Sequence, residues 1–400
     1  LKNIKLVEPE NLNYDLVRES FISPGISLND DNLNLLKKNK VNLYRDLELY
    51  SRISLDKKTV FVTGTNGKST TTKLISDMLL KNNINNFIGG NFGIPLLDYT
   101  KIDKSVNYHI IELSSFQLES FKIFNPYISI LLNIYPDHLD RYNSFDDYVL
   151  EKEKIITLNE NALNIICIDD PNTSNIFNKY KDKAIPISKN FLEKGVYCKE
   201  NKIINNYFNI KKNVSIKKIS SSLYGSFNIE NIMSAYVVCR LLNIKINIFE
   251  ETIKDFKGLP HRCENIYEDK NLKIINNSKS TNIDSCLKSI ENFENISLIL
   301  GGRAKEKNFT QILDYKKKIN KIYLIGESAE FIFKQIGSKI KCELCDTLGL
   351  AIKILLKDHK KYNAFQTILF SPACTSFDQY KNFEDRGNNF KKIIENYINE

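Results

Sequence analysis

The sequence predicts an α/β protein whose sheets are largely parallel. Apolar runs of strand length recur along the chain, and each is followed by a turn and then by a helical pattern; they begin near Thr59, Tyr108, Ile128, Ser297 and Thr367. Alternating strands and helices are typical of parallel sheets covered by helices, in which ligands bind at the C-terminal ends of the strands. We therefore expect the chemistry in the turns that follow these strands.

Composition narrows the class of protein. The chain has 400 residues, 42% of them hydrophobic and 26% charged, which is typical of a globular protein of two or three domains. It contains no apolar run of about 18 residues and no signal-peptide core near its start, so we expect a cytoplasmic protein without a membrane partner. The net charge of +9 is spread along the chain, which argues against a nucleic-acid-binding face. The eight scattered cysteines are expected to be reduced thiols.

Local patterns suggest how the chain is divided. Short alternating segments between 190 and 220 predict an antiparallel insertion that closes the middle domain. Gly258 and Pro260 break regular structure and predict a linker before the last domain. The first fifty residues contain a strand-like YDLVRESFI, a Ser23-Pro24-Gly25 turn, a helix near 29–40 and a short VNLY strand. That segment holds too little apolar surface to fold alone.

A phosphate-binding loop follows the first apolar run. VFVTGTNGKSTTTKLI places Gly64, Gly67, Lys68 and Ser69 between a strand and an amphipathic helix. Glycines let backbone N–H groups turn toward phosphate, the helix N-terminus adds partial positive charge, and the lysine reaches the β- and γ-phosphates. Ser69 or Thr70 could ligate Mg²⁺. The GxxGKS spacing is two residues shorter than that of the loop of ordinary GTPases and kinases.

Two further strand ends carry candidate metal ligands. Glu112 ends the apolar strand YHIIEL, where a Mg²⁺-binding carboxylate beside a phosphate loop is expected. His138 follows the next strand, with Asp137 and Asp140 beside it. It is predicted either as a metal ligand or as a histidine without a ligand role.

Lys152 belongs to a predicted helix that begins near Ser144. The helix start has the S-x-x-D form of a cap, with Asp147 in the fourth position, and Tyr148 lies on the same helix face as Lys152. The pattern by itself predicts only a solvated helix charge for Lys152.

A series of strings, in order and spacing, closely resembles the Mur ligases from about Ser23 to the C-terminus. The strings are GTNGKST, GGNFGIPLL, ELSSFQLES, NIYPDHLDRY, GSFNIENIMSA, GLPHRCE, NNSKSTN, LGGRAK and SPACTSFDQYKNFEDRG. The last of these, at 371–387, is similar to the members that add D-glutamate, and no DNPR-type diaminopimelate motif is present.

The resemblance implies a three-domain α/β architecture. It comprises a remnant of an N-terminal UDP-binding Rossmann-like domain (1–51), a central P-loop ATPase domain (52–258) and a C-terminal Rossmann-like domain that binds the amino acid (259–400). The N-terminal domain is expected to be incomplete, because no glycine-rich strand–turn–helix precedes Tyr14.

The resemblance also implies the reaction and its partners. ATP would phosphorylate the carboxylate of UDP-N-acetylmuramoyl-L-alanine, and the amine of D-glutamate would attack the acyl phosphate in cytoplasmic peptidoglycan precursor synthesis. Two Mg²⁺ ions, or Mn²⁺ in their place, would assist. The protein would act as a monomer on small molecules.

Residue roles are carried over from the family's motifs. Lys68, His138 and Lys152 would be catalytic, with Lys152 carbamylated, and Ser69, Glu112, His138 and Lys152 would hold metal. Carbamylation would turn a poor Mg²⁺ ligand into an oxygen ligand. The implied ATP contacts are Gly64, Thr65, Asn66, Gly67, Lys68, Ser69, Thr70, Asn228, Asn231 and Arg262. The implied substrate contacts are Ser23, Asn91, Gln117, Lys279, Thr281, Lys305, Ser376 and Phe383.

Two residues depart from the family pattern. Asn277 stands where the family has an aspartate, and Arg303 fills the GGxxK motif.

Two other functions stay open. A folylpolyglutamate synthetase-like ligase shares the loop and the modified lysine. A truncated remnant that binds ATP without ligase activity is the non-enzymatic alternative.

Overall fold

The computed structural model describes residues 7–101, 105–121, 125–137, 141–157, 161–209, 213–223, 225–359 and 365–399. The chain divides between Phe256 and Lys257 into two compact units. The division into three domains with boundaries after 51 and 258 stays a prediction. Among the described residues, none of the helices combines the length and apolar character needed to cross a bilayer.

The first unit opens with a small parallel sheet. It pairs β1 (Glu19–Phe21) with β2 (Asn42–Tyr44), and the helices α1 (Asn34–Lys38) and α2 (Asp46–Ile53) lie nearby in the chain. The VNLY strand is confirmed, but the helix predicted over 29–40 is wrong in length. Asp30 accepts the backbone N–H of Asn32 and starts a 3₁₀ turn, so the α-helix begins only at Asn34.

The large sheet of the first unit has nine strands in the order β11-β10-β9-β8-β7-β6-β3-β5-β4. Neighbouring strands from β3 to β9 run parallel, whereas β10 is antiparallel to β9 and to β11, which confirms the predicted antiparallel insertion. The strands are β3 (Lys58–Thr63), β4 (Asn86–Gly90), β5 (Tyr108–Glu112), β6 (Ile128–Leu131), β7 (Leu163–Cys167), β8 (Ala184–Ser188), β9 (Val196–Lys199), β10 (Lys202–Asn205) and β11 (Val214–Ser215).

Helices cover both faces of this sheet. Val60 and Val62 of β3 pack toward one side and Phe61 toward the other, because successive side chains of a strand alternate. The valine side is covered by α3 (Lys68–Lys81), α6 (Phe227–Leu241) and α7 (Ile246–Asp255), and the opposite side by α2, α4 (Phe145–Thr157) and α5 (Pro171–Tyr180). The predicted cap of α4 is confirmed: Ser144 and Asp147 exchange two backbone-to-side-chain hydrogen bonds of 3.1 Å.

The second unit is built in the same way on six strands, in the order β12-β13-β17-β14-β15-β16. Among the described strands of this sheet, only β12, at one edge, is antiparallel to its neighbour. The strands are β12 (Glu264–Glu268), β13 (Leu272–Asn276), β14 (Ile296–Gly301), β15 (Ile319–Ile325), β16 (Cys342–Asp346) and β17 (Gln366–Phe370). The helices α8 (Ile283–Ile290) and α9 (Ala329–Ile336) cover one face, and α10 (Leu348–His359) and α11 (Phe383–Asn399) the other. The α/β prediction is confirmed in both units.

The packing of α3 on the large sheet gives a stability prediction. Leu74 is fully buried in the core, whereas Leu80 on the same helix is 49% exposed. Leu74→Ala should destabilise the fold by about 2–5 kcal/mol, because it removes buried methyl groups and leaves a cavity. Leu80→Ala, the matched control, should cost less than about 1 kcal/mol. Calorimetric unfolding of both variants checks this, and equal midpoints would contradict the packing described.

Candidate functional site

The turn between β3 and α3 has the geometry of a phosphate-binding loop. Gly67 caps α3 with φ of +83°, a left-handed conformation that favours glycine. A Cβ added at Gly67 would lie 2.1 Å from the Asn231 Oδ1, so the position also lacks room for a side chain. The first N–H groups of α3 have no partner within the helix and carry its partial positive charge. The loop can therefore bind an anion.

Lys68 lies over this loop at the start of α3. Its Nζ donates hydrogen bonds to the carbonyls of Gly64 at 2.8 Å and Thr65 at 2.9 Å. The loop side chains are accessible to different degrees: Asn66 is exposed, and Thr65 and Thr70 are half-buried. A mobile ammonium group at this place can reach a bound phosphate.

Glu112 ends β5 directly beside the loop. Its carboxylate accepts hydrogen bonds from the Ser69 Oγ at 2.5 Å and from the Asn91 Nδ2 at 2.8 Å. The structure thus brings together Ser69, the metal ligand predicted in the phosphate loop, and Glu112, the metal ligand predicted at the end of a neighbouring strand. A hydroxyl and a carboxylate are the oxygen donors that Mg²⁺ prefers, so the residues present fit that ion.

Lys152 is buried beneath the same loop. Its Nζ donates to the Gly64 carbonyl at 2.9 Å and lies 4.9 Å from the centre of the Tyr148 ring. Burial lowers the pKa of Lys152 well below its usual range, and the charge of Lys68 adds to this, against the opposing charges of Asp137 and Glu112. Burial therefore favours the uncharged form of this amine. The prediction of a solvated helix position is wrong, because Lys152 is 2% exposed. His138 lies outside the described residues.

The start of α6 contacts the loop through an asparagine pair. The Oδ1 of Asn231 accepts a hydrogen bond of 3.1 Å from the Thr71 hydroxyl, and its Nδ2 donates to the Asn228 Oδ1 at 2.9 Å. Both asparagines are buried. The two ATP contacts predicted on this helix therefore lie beside the phosphate loop.

Two residues at this site were missed by the sequence analysis. Asn133 follows β6 and accepts the backbone N–H of Asn66 at 2.8 Å, and its Nδ2 donates to Glu230 at 3.0 Å. Asn133 could have been found by the strand-end argument that selected Glu112. Glu230 lies between Asn228 and Asn231 in the chain, but no sequence signal separates it from a solvated helix charge.

Gln117 is held inside the first unit. Its Oε1 accepts from the Ser114 N–H at 3.2 Å, and its Nε2 donates to the Asp46 carboxylate at 3.1 Å. Burial raises the pKa of Asp46, against hydrogen bonds from Gln117 and from Leu47. The predicted substrate residue is therefore fixed by its neighbours rather than free to move.

The Ser23 turn is anchored by arginines, which the sequence analysis also missed. Arg45 is fully buried, donates to the Ser23 carbonyl at 2.8 Å and pairs with Glu119. Arg141 binds the same carboxylate at 2.9 Å and the Gly25 carbonyl at 3.2 Å. Removing one partner of such a buried pair leaves an uncompensated charge, so the turn is firmly positioned.

In the second unit, a buried arginine connects two loops that carry predicted substrate residues. Arg386 donates to the carbonyls of Ser278 at 2.8 Å and Cys374 at 3.1 Å. Burial lowers the pKa of Arg386 to about 10. Lys279 follows the first of these residues, and its Nζ lies 4.2 Å from the centre of the Phe383 ring.

The remaining predicted residues of this unit differ in exposure. The Ser376 Oγ is buried without a hydrogen-bond partner among the described residues, whereas Lys305 is exposed. Thr281 and Arg262 are half-buried. A buried hydroxyl without a partner is costly, so the Ser376 Oγ lacks an acceptor that the described residues do not supply.

The two departures from the family pattern are both accommodated. Asn277 donates to the Ser371 Oγ at 3.1 Å and accepts the Cys263 N–H at 3.2 Å. Both the nitrogen and the oxygen of the neutral amide are therefore hydrogen-bonded. Arg303 forms an exposed two-point pair with Glu327, at 3.0 and 2.8 Å.

Known proteins are similar to this chain in sequence and in fold. The Mur ligase middle domain matches residues 62–239. The UDP-N-acetylmuramoylalanine–D-glutamate ligase of Rickettsia bellii is 37% identical over 380 residues, covering 93% of this chain and 83% of that protein.

Solved structures show the same architecture. The MurF structure of Acinetobacter baumannii has a TM-score of 0.65 at 16% identity, covering 90% of this chain and 81% of that one. MurF ligase of Thermotoga maritima, solved in complex with ADP, has a TM-score of 0.61 at 19% identity, covering 96% and 97%. The similarity to the Rickettsia bellii ligase covers nearly the whole length of this chain. The chain therefore belongs to the Mur ligase family.

Proposed function

We propose that this chain is an ATP-dependent amide ligase that joins D-glutamate to UDP-N-acetylmuramoyl-L-alanine through an acyl phosphate. The observation that carries the proposal is the phosphate loop with Lys68 over it and the Ser69–Glu112 pair at its side. The name of the Rickettsia bellii relative supports the choice of substrates. We also expect the protein to be a monomer that acts on small molecules in the cytoplasm.

The first chemical step activates a carboxylate. An oxygen of the substrate carboxylate attacks the γ-phosphorus of ATP, the bond to the β,γ-bridging oxygen breaks, and ADP leaves. Negative charge builds up on the phosphoryl oxygens, and preorganised positive groups stabilise it. Lys68 and the N–H groups at the start of α3 supply the positive charge, and Asn228 and Asn231 contact the nucleotide.

The second step forms the amide bond. The D-glutamate amine attacks the acyl carbon and forms a tetrahedral intermediate. The nitrogen loses a proton to solvent, the bond between the acyl carbon and the phosphate oxygen breaks, and phosphate leaves with that electron pair. Activation is needed because an ionised carboxylate is a poor electrophile. Asn91, Gln117 and the Ser23 turn would hold the muramyl substrate.

Ser69 and Glu112 would hold a Mg²⁺ ion, and His138 with a modified Lys152 a second one. When bound, these ions would neutralise phosphate charge. The burial of Lys152 lowers its pKa and favours the unprotonated amine. This supports carbamylation, because only an unprotonated amine can add CO₂.

Phosphate release from ATP tests the function directly. The purified chain should release phosphate only when UDP-N-acetylmuramoyl-L-alanine and D-glutamate are both present. Release that needs a folate and L-glutamate would identify the folylpolyglutamate synthetase-like alternative. ATP binding without release under either condition would identify the remnant and contradict the proposal.

Lys68→Ala should lower kcat/KM for ATP at least about 100-fold, because it removes the charge that stabilises the transferred phosphoryl group. Lys73→Ala is the matched control on the same helix, since Lys73 pairs with Asp77 away from the loop. The control should stay within about twofold of the wild type. Steady-state kinetics check both variants, and full activity of Lys68→Ala would exclude the assigned role.

Lys152→Ala should lose nearly all activity, and added acetate or formate should restore part of it by standing in for the carbamate. Lys154→Ala, on the same helix but paired with Glu151 near the surface, is the control and should need no rescue. A carbamate carbon signal in ¹³C NMR after ¹³CO₂ labelling should be present in the wild type and absent from Lys152→Ala. An unmodified wild-type lysine would refute the modification.

The amino-acid site is predicted to lie at Ser376 and Lys305. Ser376→Ala and Lys305→Ala should each raise KM for D-glutamate about tenfold, because each removes a hydrogen bond to a carboxylate. KM for ATP should stay unchanged. Lys307→Ala, a neighbouring exposed lysine, is the control. An unchanged KM for D-glutamate in both variants would place the amino acid elsewhere.

A further inference from the structure

The Asn133 side chain forms hydrogen bonds to two backbone atoms of the phosphate loop. Its Oδ1 accepts the Asn66 N–H at 2.8 Å, and its Nδ2 lies 3.3 Å from the Asn66 carbonyl oxygen. The carbonyl of Asn133 also accepts the Thr65 N–H at 2.8 Å. The residue just before Gly67 is therefore held in place by a single amide side chain.

Glu230 fixes which way this amide points. The Asn133 Nδ2 donates to the Glu230 Oε2 at 3.0 Å, and both side chains are buried. A carboxylate only accepts hydrogen bonds, so a flipped amide would set its oxygen against the carboxylate. The Asn133 oxygen must consequently face the Asn66 N–H.

Lys189 balances the charge of Glu230. Its Nζ lies 2.7 Å from the Glu230 Oε1 and 4.0 Å from the Asp169 carboxylate. Burial by itself lowers the pKa of Lys189, but the hydrogen bond and charge of Glu230, together with Asp169, outweigh it and raise the pKa. The ion pair thus sets a positive charge against the carboxylate oxygen of Glu230 that does not contact the amide.

The side chains around Glu230 are better suited to the Lys189 ammonium group than to a metal ion. Cys167, Asp169 and Glu230 offer ligand atoms within 4.8 Å of one another. However, Asp169 already accepts from the Ser188 Oγ at 2.5 Å and from the Lys189 N–H. Burial raises the pKa of the Cys167 thiol well above its usual range, and the charges of Glu230 and Asp169 add to this. A protonated thiol and carboxylates that already accept hydrogen bonds suit the Lys189 ammonium group better than a metal ion.

We propose that Asn133 is a positioning residue for nucleotide binding and that Glu230, backed by Lys189, sets its orientation. The inference rests on the proposed function only in that the loop binds ATP. Because Asn133 takes up the Asn66 N–H, the donors left for phosphate are those from Gly67 onward. Glu230 also lies on α6 beside Asn228 and Asn231. Its contact with Asn133 therefore connects the helix that carries these predicted ATP contacts to the phosphate loop.

An exchange of the two side chains tests this inference. Asn133→Asp alone sets two carboxylates against each other and should weaken binding of the fluorescent nucleotide mant-ATP, with Mg²⁺ present, at least about tenfold. The double variant Asn133→Asp/Glu230→Gln moves the carboxylate to the other residue and leaves the net charge unchanged. The new amide can donate to the new carboxylate, which still accepts the Asn66 N–H. Binding should recover at least about threefold relative to Asn133→Asp. It should stay weaker than in the wild type, because the exchange restores neither the Nδ2 contact with the Asn66 carbonyl nor the ion pair of Glu230 with Lys189.

Asn205→Asp is the matched control. The Asn205 side chain also holds a backbone turn, by accepting from the N–H groups of Tyr207 and Phe208, but it lies on β10, five strands from β3. Its mant-ATP affinity should stay within about twofold of the wild type. Asn133→Ala, which adds no charge, gives a second measure should Asn133→Asp fail to fold, and should weaken binding about fivefold.

Two results would overturn the inference: wild-type affinity in both Asn133 variants, or a double variant that binds no more tightly than Asn133→Asp. A general loss of stability would lower the unfolding midpoint without this pattern of loss and recovery. Because mant-ATP binding needs no turnover, its outcome is independent of the ligase assay. A wild-type chain that binds mant-ATP but shows no glutamate-dependent phosphate release would contradict the proposed function alone.

Discussion

The parallel pairing of β3 with β5 and β6 is the constraint on which the nucleotide site depends. Val62 lies opposite Glu112 in one pair, and Thr63 lies opposite Leu131 in the other. The chain segments that leave these strands therefore emerge at one edge of the sheet. A slip of one residue in either pair would turn the strand's side chains to the opposite faces of the sheet, and the core packing on both faces forbids it.

Burial and charge give this edge its chemical character. Lys68 is half-buried, whereas Lys152, whose Nζ donates to the same Gly64 carbonyl, is buried and has a lowered pKa. The difference arises from desolvation, which penalises the charged form of Lys152. The two residues are both lysines, but they differ in chemistry because they differ in burial.

The second unit uses one buried arginine to organise its loops. Arg386 joins the loop after β13 to the loop after β17, because its planar guanidinium can donate to several carbonyls at once. The cost of burying its charge is offset only while those acceptors stay in place. The loops that carry Lys279 and Ser376 are therefore coupled in position.

The sequence by itself determined the class of fold and the location of the phosphate loop. Apolar runs and turn residues are local signals, so the strands near Thr59, Tyr108 and Ile128, the cap at Ser144 and the loop glycines could all be predicted. The helix near 29–40 failed because a local Asp30 side-chain bond competes with the α-helix, and periodicity does not detect that competition.

Only the tertiary structure decided which side chains meet. Asn133, Glu230 and Lys189 are far apart in the chain, and their contacts arise from strand order and helix packing. The lowered pKa of Lys152 likewise depends on burial, which three-dimensional packing creates and helix periodicity could not reveal. Local patterns specify elements, whereas long-range contacts specify the electrostatics and orientation of the groups those elements carry.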